Sequence, residues 1–264
     1  MTIEEPLVLR HDRADGLTTL TLNRPGQFNS LSKDMLTAVK IELDAIAADE
    51  AIRVVVIAGA GKAFCAGHDL KEMRANHSKA FMQALFKQAG ELMLTLTQMP
   101  QPVIARVHGI ATAAGCQLVS MCDLAVAADV ARFAVSGINV GLFCSTPAVG
   151  LARNLGRKAA LEMLLTGEFI DAMEARAKGL VNHVVPADAL DAEVERLAQS
   201  IIAKSAIAVR IGKGMFYQQL EMGLTEAYDY AGEVMACNMM SEDACEGIDA
   251  FMQKRKPAYK GVCG

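Results

Sequence analysis

Residues 102–128, PVIARVHGIATAAGCQLVSMCDLAVAA, are read as a strand, a helix opened by small residues, and a second strand. VIARV (103–107) and LAVAA (124–128) are short, mostly apolar runs that lack the strict alternation of a half-exposed strand, which is the look of strands buried in a sheet. Between them, ATAAGCQL (111–118) consists almost wholly of small residues, as where another group presses close to the backbone. Its first side chain able to make a strong hydrogen bond after Thr112 is Gln117, an amide that neither gives nor takes a proton at neutral pH.

The same pattern extends in both directions. Leu7–Arg13 and Leu17–Leu22 are β-rich runs around Asp15-Gly16, a hairpin signal. Ser32 is placed to cap a helix in which Met35, Leu36, Val39, Leu43 and Ile46 recur at helical spacing. VVVIAG (54–59) reads as a strand buried on both faces, and residues 78–98 as a helix halted by PQP at 100–102. Strands alternating with helices predict an α/β arrangement of parallel strands joined by crossovers. Beyond about residue 145 strand signals almost vanish. RKAALEMLLTG, DAMEARAKGL, LDAEVERLAQSIIAK and SEDACEGIDAFMQKR favour helix, with Gly156, Gly167 and Gly179 as stops.

Composition narrows the function classes. The 264 residues are 52% hydrophobic and 21% charged, so the chain can bury a sizeable core and is not disordered. A net charge of −4 excludes general nucleic-acid binding, while a local basic cluster can still hold a phosphate. The seven cysteines, Cys65, Cys116, Cys122, Cys144, Cys237, Cys245 and Cys263, form no CxxC pair and are expected to be reduced. The acidic start MTIEEPLVLR lacks transit-peptide character, and a cytoplasmic location is expected. No window approaches 18 uninterrupted apolar residues, so no membrane span is expected. No metal site is expected either.

Two glycine-rich turns are the places to look for chemistry. GAGKAFCAGHDLKEM follows the 54–58 strand, and HGIATAAGCQL follows the 103–107 strand. Each offers backbone N–H groups near a helix start, and two such donors converging from separate loops are what an oxyanion hole needs. GAGKA lacks the GK[ST] ending of a phosphate loop and is rejected as one.

Five colinear blocks carry a family resemblance: LNRPGQFNSLS (22–32), VVVIAGAGKAFCAGHDLKEM (54–73), residues 102–128, ALEMLLTGEFIDAMEARAKGLVNHVVP (160–186) and EGIDAFMQKRKP (246–257). Together they resemble the crotonase superfamily of enoyl-CoA hydratases and isomerases. The loop NVGLFCSTPAVGLAR (139–153) looks like the subgroup called enoyl-CoA hydratase domain-containing protein 3. The resemblance implies a crotonase-type spiral of ββα repeats over residues 1–200 and a C-terminal helical trimerisation region over 201–264. It further implies a homotrimer or hexamer, and an acyl-CoA or enoyl-CoA thioester as substrate, with coenzyme A entering as part of that substrate and no prosthetic group. The activity implied is that of a lyase or isomerase of fatty-acid metabolism.

Carried over by position, the two oxyanion donors fall on the backbone N–H groups of His68 and Ala114. Relatives have glycine at the second place; alanine fits there if its φ is negative. Ala66, His68, Asp69, Leu70 and Lys71 are placed along the CoA arm, Arg24 near its nucleotide portion, and Lys260 in KRKPAYK is the candidate for its 3′-phosphate. The two catalytic glutamates of hydratases fall on Gln117 and Gly137, neither of which transfers a proton. Loss of such a group costs about 10²–10⁴-fold in rate. Three readings therefore stand side by side. One is a hydratase or isomerase-like enzyme that stabilises an enolate. Another is a CoA-ester-binding protein without catalysis. The third is a methylmalonyl-CoA-decarboxylase-like or thioesterase activity using the same hole. The His68 ring is either functional or packed at the pocket wall; Cys116 would gain thiolate character at a helix N-terminus, but many relatives carry cysteine there without a catalytic use, so a structural role is expected for it. Cys144 and Ser145 could face the acyl group. Asp69 and Asp123 are expected to hold loops by hydrogen bonding.

Overall fold

The computed structural model describes residues 5–261; Cys263 lies outside them. The Asp15-Gly16 turn joins β1 (Val8–Asp12) to β2 (Leu17–Leu22), with Val8 opposite Leu22. There follow α1 (Lys33–Ala47), β3 (Val54–Gly59), β4 (Ala63–Cys65), α2 (Leu70–Ala75), α3 (Lys79–Gln98), β5 (Val103–Val107), β6 (Ile110–Thr112), α4 (Ala114–Met121), β7 (Leu124–Ala128) and β8 (Arg132–Ala134). The chain continues through α5 (Ser145–Asn154), α6 (Arg157–Thr166), β9 (Ile170–Asp171), α7 (Ala172–Ala177), β10 (His183–Val185) and α8 (Leu190–Ile202). It closes on α9 (Ala206–Gln219), α10 (Leu224–Met239) and α11 (Glu242–Met252).

Six strands form the main sheet in the order β1-β2-β3-β5-β7-β10, parallel from β2 onward. Strands β3 and β7 are apolar throughout, and β5 is so except for Arg106, because helices cover both faces. Val55, Ile57, Val103 and Ala105 join Met35, Leu36, Val39 and Leu43 of α1 and Leu85, Ala89 and Leu92 of α3 in one core. The alternate residues Val54, Val56, Ile104 and Val126 meet Leu190, Val194 and Ala198 of α8 in a second. Ser32 caps α1 by accepting from the Met35 N–H at 3.2 Å, as its position predicts.

The structure departs from a simple strand–helix alternation. After each of β3, β5 and β7 the chain makes a second, shorter strand before its next helix or turn. These three strands, with β9 added at the edge after α6, assemble a separate four-stranded sheet, β4-β6-β8-β9. The result is a spiral of ββα turns. Strands of three residues are too short to show a period of two, which is why only their partners in the main sheet are legible in the sequence. Likewise β10 adds an edge strand after residue 145, where helix signals dominate.

The last three helices are tied to the sheet by a buried cation. Lys213 of α9 donates to the Leu96 carbonyl at 2.7 Å, the Gln101 carbonyl at 2.8 Å and Asp123 Oδ2 at 2.6 Å. Tyr217 donates to the other Asp123 oxygen at 2.9 Å, and the Val103 N–H donates to Oδ2 at 2.6 Å. Asp123 thus pins the start of β5 to α9, and Lys213 pins the end of α3 to the same helix. Burial holds the Lys213 ammonium below the usual lysine range against the opposing pull of Asp123. Elsewhere on these helices Phe216, Leu224, Tyr228, Met235, Met240 and Phe251 remain exposed.

Removing one partner of a buried charge pair leaves the other uncompensated, at a cost of about 3–5 kcal/mol. Lys213→Met is therefore expected to lower the urea midpoint of unfolding by that equivalent. Adding Asp123→Asn to the same chain should recover part of the loss. A single variant as stable as the wild type would show that the cluster does not anchor α9.

Candidate active site

The site begins with Asn29. It adopts φ 55°, in the left-handed region that Asn tolerates better than most residues, and is fully buried. Its amide donates to the carbonyls of Ala60 and Ala63 at 2.8 Å, while its oxygen accepts from the Arg24 N–H at 2.9 Å. This clamps the 24–31 loop across the β3–β4 turn. The loop then holds the chain leaving β4: the Ala66 N–H donates to the Phe28 carbonyl at 3.0 Å, and the Leu31 N–H to the Gly67 carbonyl at 2.7 Å. The LNRPGQFNSLS block thus serves as the brace of the His68 loop.

Gly67, at φ +87°, makes the corner before His68, a conformation that favours glycine. A β-carbon there would lie 2.9 Å from the Ala113 β-carbon and 3.0 Å from the Ala114 nitrogen. The two loops therefore meet backbone to backbone at His68 and Ala114, which come from the β4–α2 and β6–α4 connections. Among the described residues neither N–H donates to a protein acceptor. Ala114 is the first residue of α4 and has negative φ, which an alanine adopts without strain; the strain sits one residue earlier, where Ala113 has φ 50° and ψ −121°. Gly115 is small for a different reason than a ligand: a β-carbon there would collide with the Cys65 carbonyl.

Both donors line a cleft of about 340 Å³. Ala66, Leu70, Met73, Phe86, Val140, Leu142, Phe143 and Pro147 supply apolar walls, and Ser136 and Cys144 are among its polar members. Ser136 Oγ shares a hydrogen bond of 2.8 Å with Thr112 Oγ1. No carboxylate, lysine or arginine lines the cleft among the described residues. The His68 ring stacks edgewise on Phe86 with centroids 5.5 Å apart. Its Nδ1 lies 3.3 Å from the Leu31 carbonyl, Nε2 is buried without a protein partner, and burial holds the imidazole below the usual histidine range. Sequence reasoning missed Met73, Phe86 and Ser136. The first two repeat at helical spacing like core residues, and Ser136 lies in no recognisable pattern.

The remaining sequence-derived residues are placed as follows. Gly137 lines the cleft, and a β-carbon there would lie 2.6 Å from the Leu142 carbonyl and 2.7 Å from Cys144 Sγ. Gln117 is buried one turn into α4, outside the lining, with Oε1 unpartnered. Asp69 caps α2 by accepting from the Lys71 and Glu72 N–H groups, and Arg24 pairs with it at 2.9 Å. Arg24 is not among the lining residues. Lys71 borders a shallow depression with Arg74 that shares Leu70 with the cleft. Lys260 pairs with Glu242 at 3.0 Å, beside α11 and outside the cleft lining. Ser145 lines the cleft with Cys144. Cys116 corrects the thiolate expectation: fully buried, its thiol is pushed up to about 12, because loss of hydration outweighs the helix terminus.

Two expectations follow from this packing. Ala113→Gly removes strain of about 1–3 kcal/mol at a cost of about 0.5–1 kcal/mol in chain entropy, so it should stabilise by about 1 kcal/mol, read as a raised urea midpoint at unchanged slope. Gly137→Ala should instead destabilise by the overpacking cost of about 1–3 kcal/mol, because the Leu142 backbone must move. A neutral result for Gly137→Ala in thermal unfolding would show that the 137–144 loop yields freely.

Comparison with known proteins agrees with this architecture. The family model for enoyl-CoA hydratase/isomerase matches residues 12–262. Enoyl-CoA hydratase domain-containing protein 3, mitochondrial, of Mus musculus is 44% identical, over 97% of this chain and 85% of its own length. A crystal structure of enoyl-CoA hydratase from Mycobacterium smegmatis superposes with a TM-score of 0.96 at 58% identity, covering 97% and 99% of the two chains. The human enoyl-CoA hydratase domain-containing protein 3 structure gives 0.93 at 43% identity, covering 97% and 100%. With the ββα spiral, the chain belongs to the enoyl-CoA hydratase/isomerase family.

Proposed function

We propose that the protein binds an acyl-CoA thioester in the cleft and stabilises its enolate between the backbone N–H groups of His68 and Ala114, as an enoyl-CoA hydratase or isomerase-like enzyme of acyl-CoA metabolism. The observation that carries this reading is the convergence of two unengaged N–H donors from separate loops on one apolar cleft. Charge that develops on a thioester oxygen there meets fixed donors in a site shielded from water. The apolar walls suit an uncharged acyl chain. Lys71 and Arg74, beside Leu70 at the edge, suit the anionic half of coenzyme A. The exposed apolar side chains on α9–α11 support assembly into a homotrimer or a hexamer.

A second reading rests on a specific observation: no carboxylate lines the cleft among the described residues, in keeping with the family resemblance that puts Gln117 and Gly137 where hydratases carry glutamate. A carrier or regulator that binds CoA esters without turning them over fits that absence. A malonyl-type substrate fits less well, because its carboxylate would be buried without a cationic partner among the lining residues.

Turnover of crotonyl-CoA by purified protein distinguishes the two readings. Gly67→Ala, which wedges the two donors apart, is expected to lower kcat/KM by about 10²–10³-fold, the loss typical of one oxyanion donor. Calorimetric binding of CoA esters without any turnover would instead establish the carrier.

A further inference from the structure

Between residues 140 and 143 three side chains are apolar and open: Val140 is 67% exposed, Leu142 44% and Phe143 39%. A contiguous apolar patch of this kind marks a ligand groove or an interface. The backbone beneath it is held in place. The Leu142 N–H donates to the Gly137 carbonyl at 2.9 Å, the Ser145 N–H to the Phe143 carbonyl at 2.8 Å, and the Asn139 amide to the Gly167 carbonyl at 3.3 Å. Continuity with the cleft names the occupant. All three residues belong to the same wall set as Ala114 and His68, whose deeper apolar members include the buried Met73 and Pro147. Leu70, by contrast, is shared with the depression of Lys71 and Arg74, the side that suits coenzyme A. A methylene is close in size to a water molecule, whose share of liquid volume is about 30 Å³. The 340 Å³ of the cleft therefore holds about ten such groups, more than a thioester with a four-carbon chain fills.

Resting on the thioester reading above, we propose that the cleft selects an uncharged acyl chain of medium length, about six to ten carbons by that volume, with Val140, Leu142 and Phe143 as the wall that sets its length. A thioester oxygen held between the His68 and Ala114 N–H groups leaves the acyl chain inside the cleft. Its first carbons fill the deeper part, and the later ones cover the open side chains of the 140–143 segment. Both partners then lose apolar surface to water, which is the driving force for the selection. A longer chain passes the mouth and returns to water, so its outer methylenes contribute little. A charge at the chain's end is disfavoured, because no lysine, arginine or carboxylate lines the cleft among the described residues.

Calorimetry with saturated acyl-CoA esters, which carry no double bond to hydrate, tests this as an affinity series. Each methylene taken fully from water contributes about fourfold in affinity, so octanoyl-CoA is expected to bind about 10²-fold more tightly than butyryl-CoA. Dodecanoyl-CoA should add less than about tenfold to that. Leu142→Ser combined with Phe143→Ser should cut the octanoyl-to-butyryl ratio by about tenfold or more. Both positions are exposed, so the thermal midpoint is expected to hold. Should the pair lower it, Val140→Ser, at the most open of the three, carries the same comparison. Equal affinities for butyryl-CoA and octanoyl-CoA would overturn the proposal, as would serine variants that keep the wild-type ratio. Either result would leave the segment to an interface with a second copy of the chain. An undiminished rise to dodecanoyl-CoA would overturn the length limit. Absence of binding by all three esters would instead overturn the thioester reading itself, and this inference with it.

Discussion

The close contact between the chain leaving β4 and the chain entering α4 is the constraint on which the rest of the site depends. Gly67 faces Ala113, and Gly115 faces the Cys65 carbonyl, with no room for a further carbon at either glycine. Only this proximity places two N–H groups from separate loops beside one another. The spiral makes it possible, because β4 and β6 are paired in the smaller sheet while β3 and β5 are parallel neighbours in the larger one. Two sheets built by the same ββα turns bring equivalent corners of successive turns together.

That arrangement carries strain, and the strain is local. Ala113 is held at positive φ although its side chain disfavours it, and it is locked by its N–H to the Ala134 carbonyl at 3.0 Å. The Asn29 clamp opposes any relaxation on the other side of the contact by binding the 24–31 loop to the β3–β4 turn. For the proposed oxyanion site rigid donors matter, because a site that must reorganise as charge develops loses much of its effect. The loop 137–144 closes the remaining side. Cys144 Sγ and the Leu142 carbonyl occupy the space that a side chain at position 137 would need, so Gly137 is a packing requirement of this loop.

Much of this was legible in the residues. The main-sheet strands, the cap at Ser32 and the small-residue entry to α4 are all local features, governed by side-chain spacing and turn chemistry. The second sheet was not legible, because strands of three residues carry no readable period. Met73 and Phe86 were hidden for a related reason: a helix that lines a cleft with apolar side chains has the same periodicity as one that faces a core. The helix terminus at Cys116 pointed toward a thiolate, and burial, which depends on what packs above it, reversed the direction.

By itself, then, the sequence determined the α/β class, the positions of the two glycine-rich turns, and the ligand class that the family blocks imply. Tertiary structure alone decided that Gly67 and Ala113 touch, that the strain falls on Ala113 while Ala114 stays helical, and that the His68 ring lies against the Leu31 carbonyl and Phe86. The division has a physical cause. Spacing and turn residues act over a few positions along the chain, whereas a hydrogen-bond partner 37 residues away, such as Leu31 for His68, is chosen only when folding brings the two loops together.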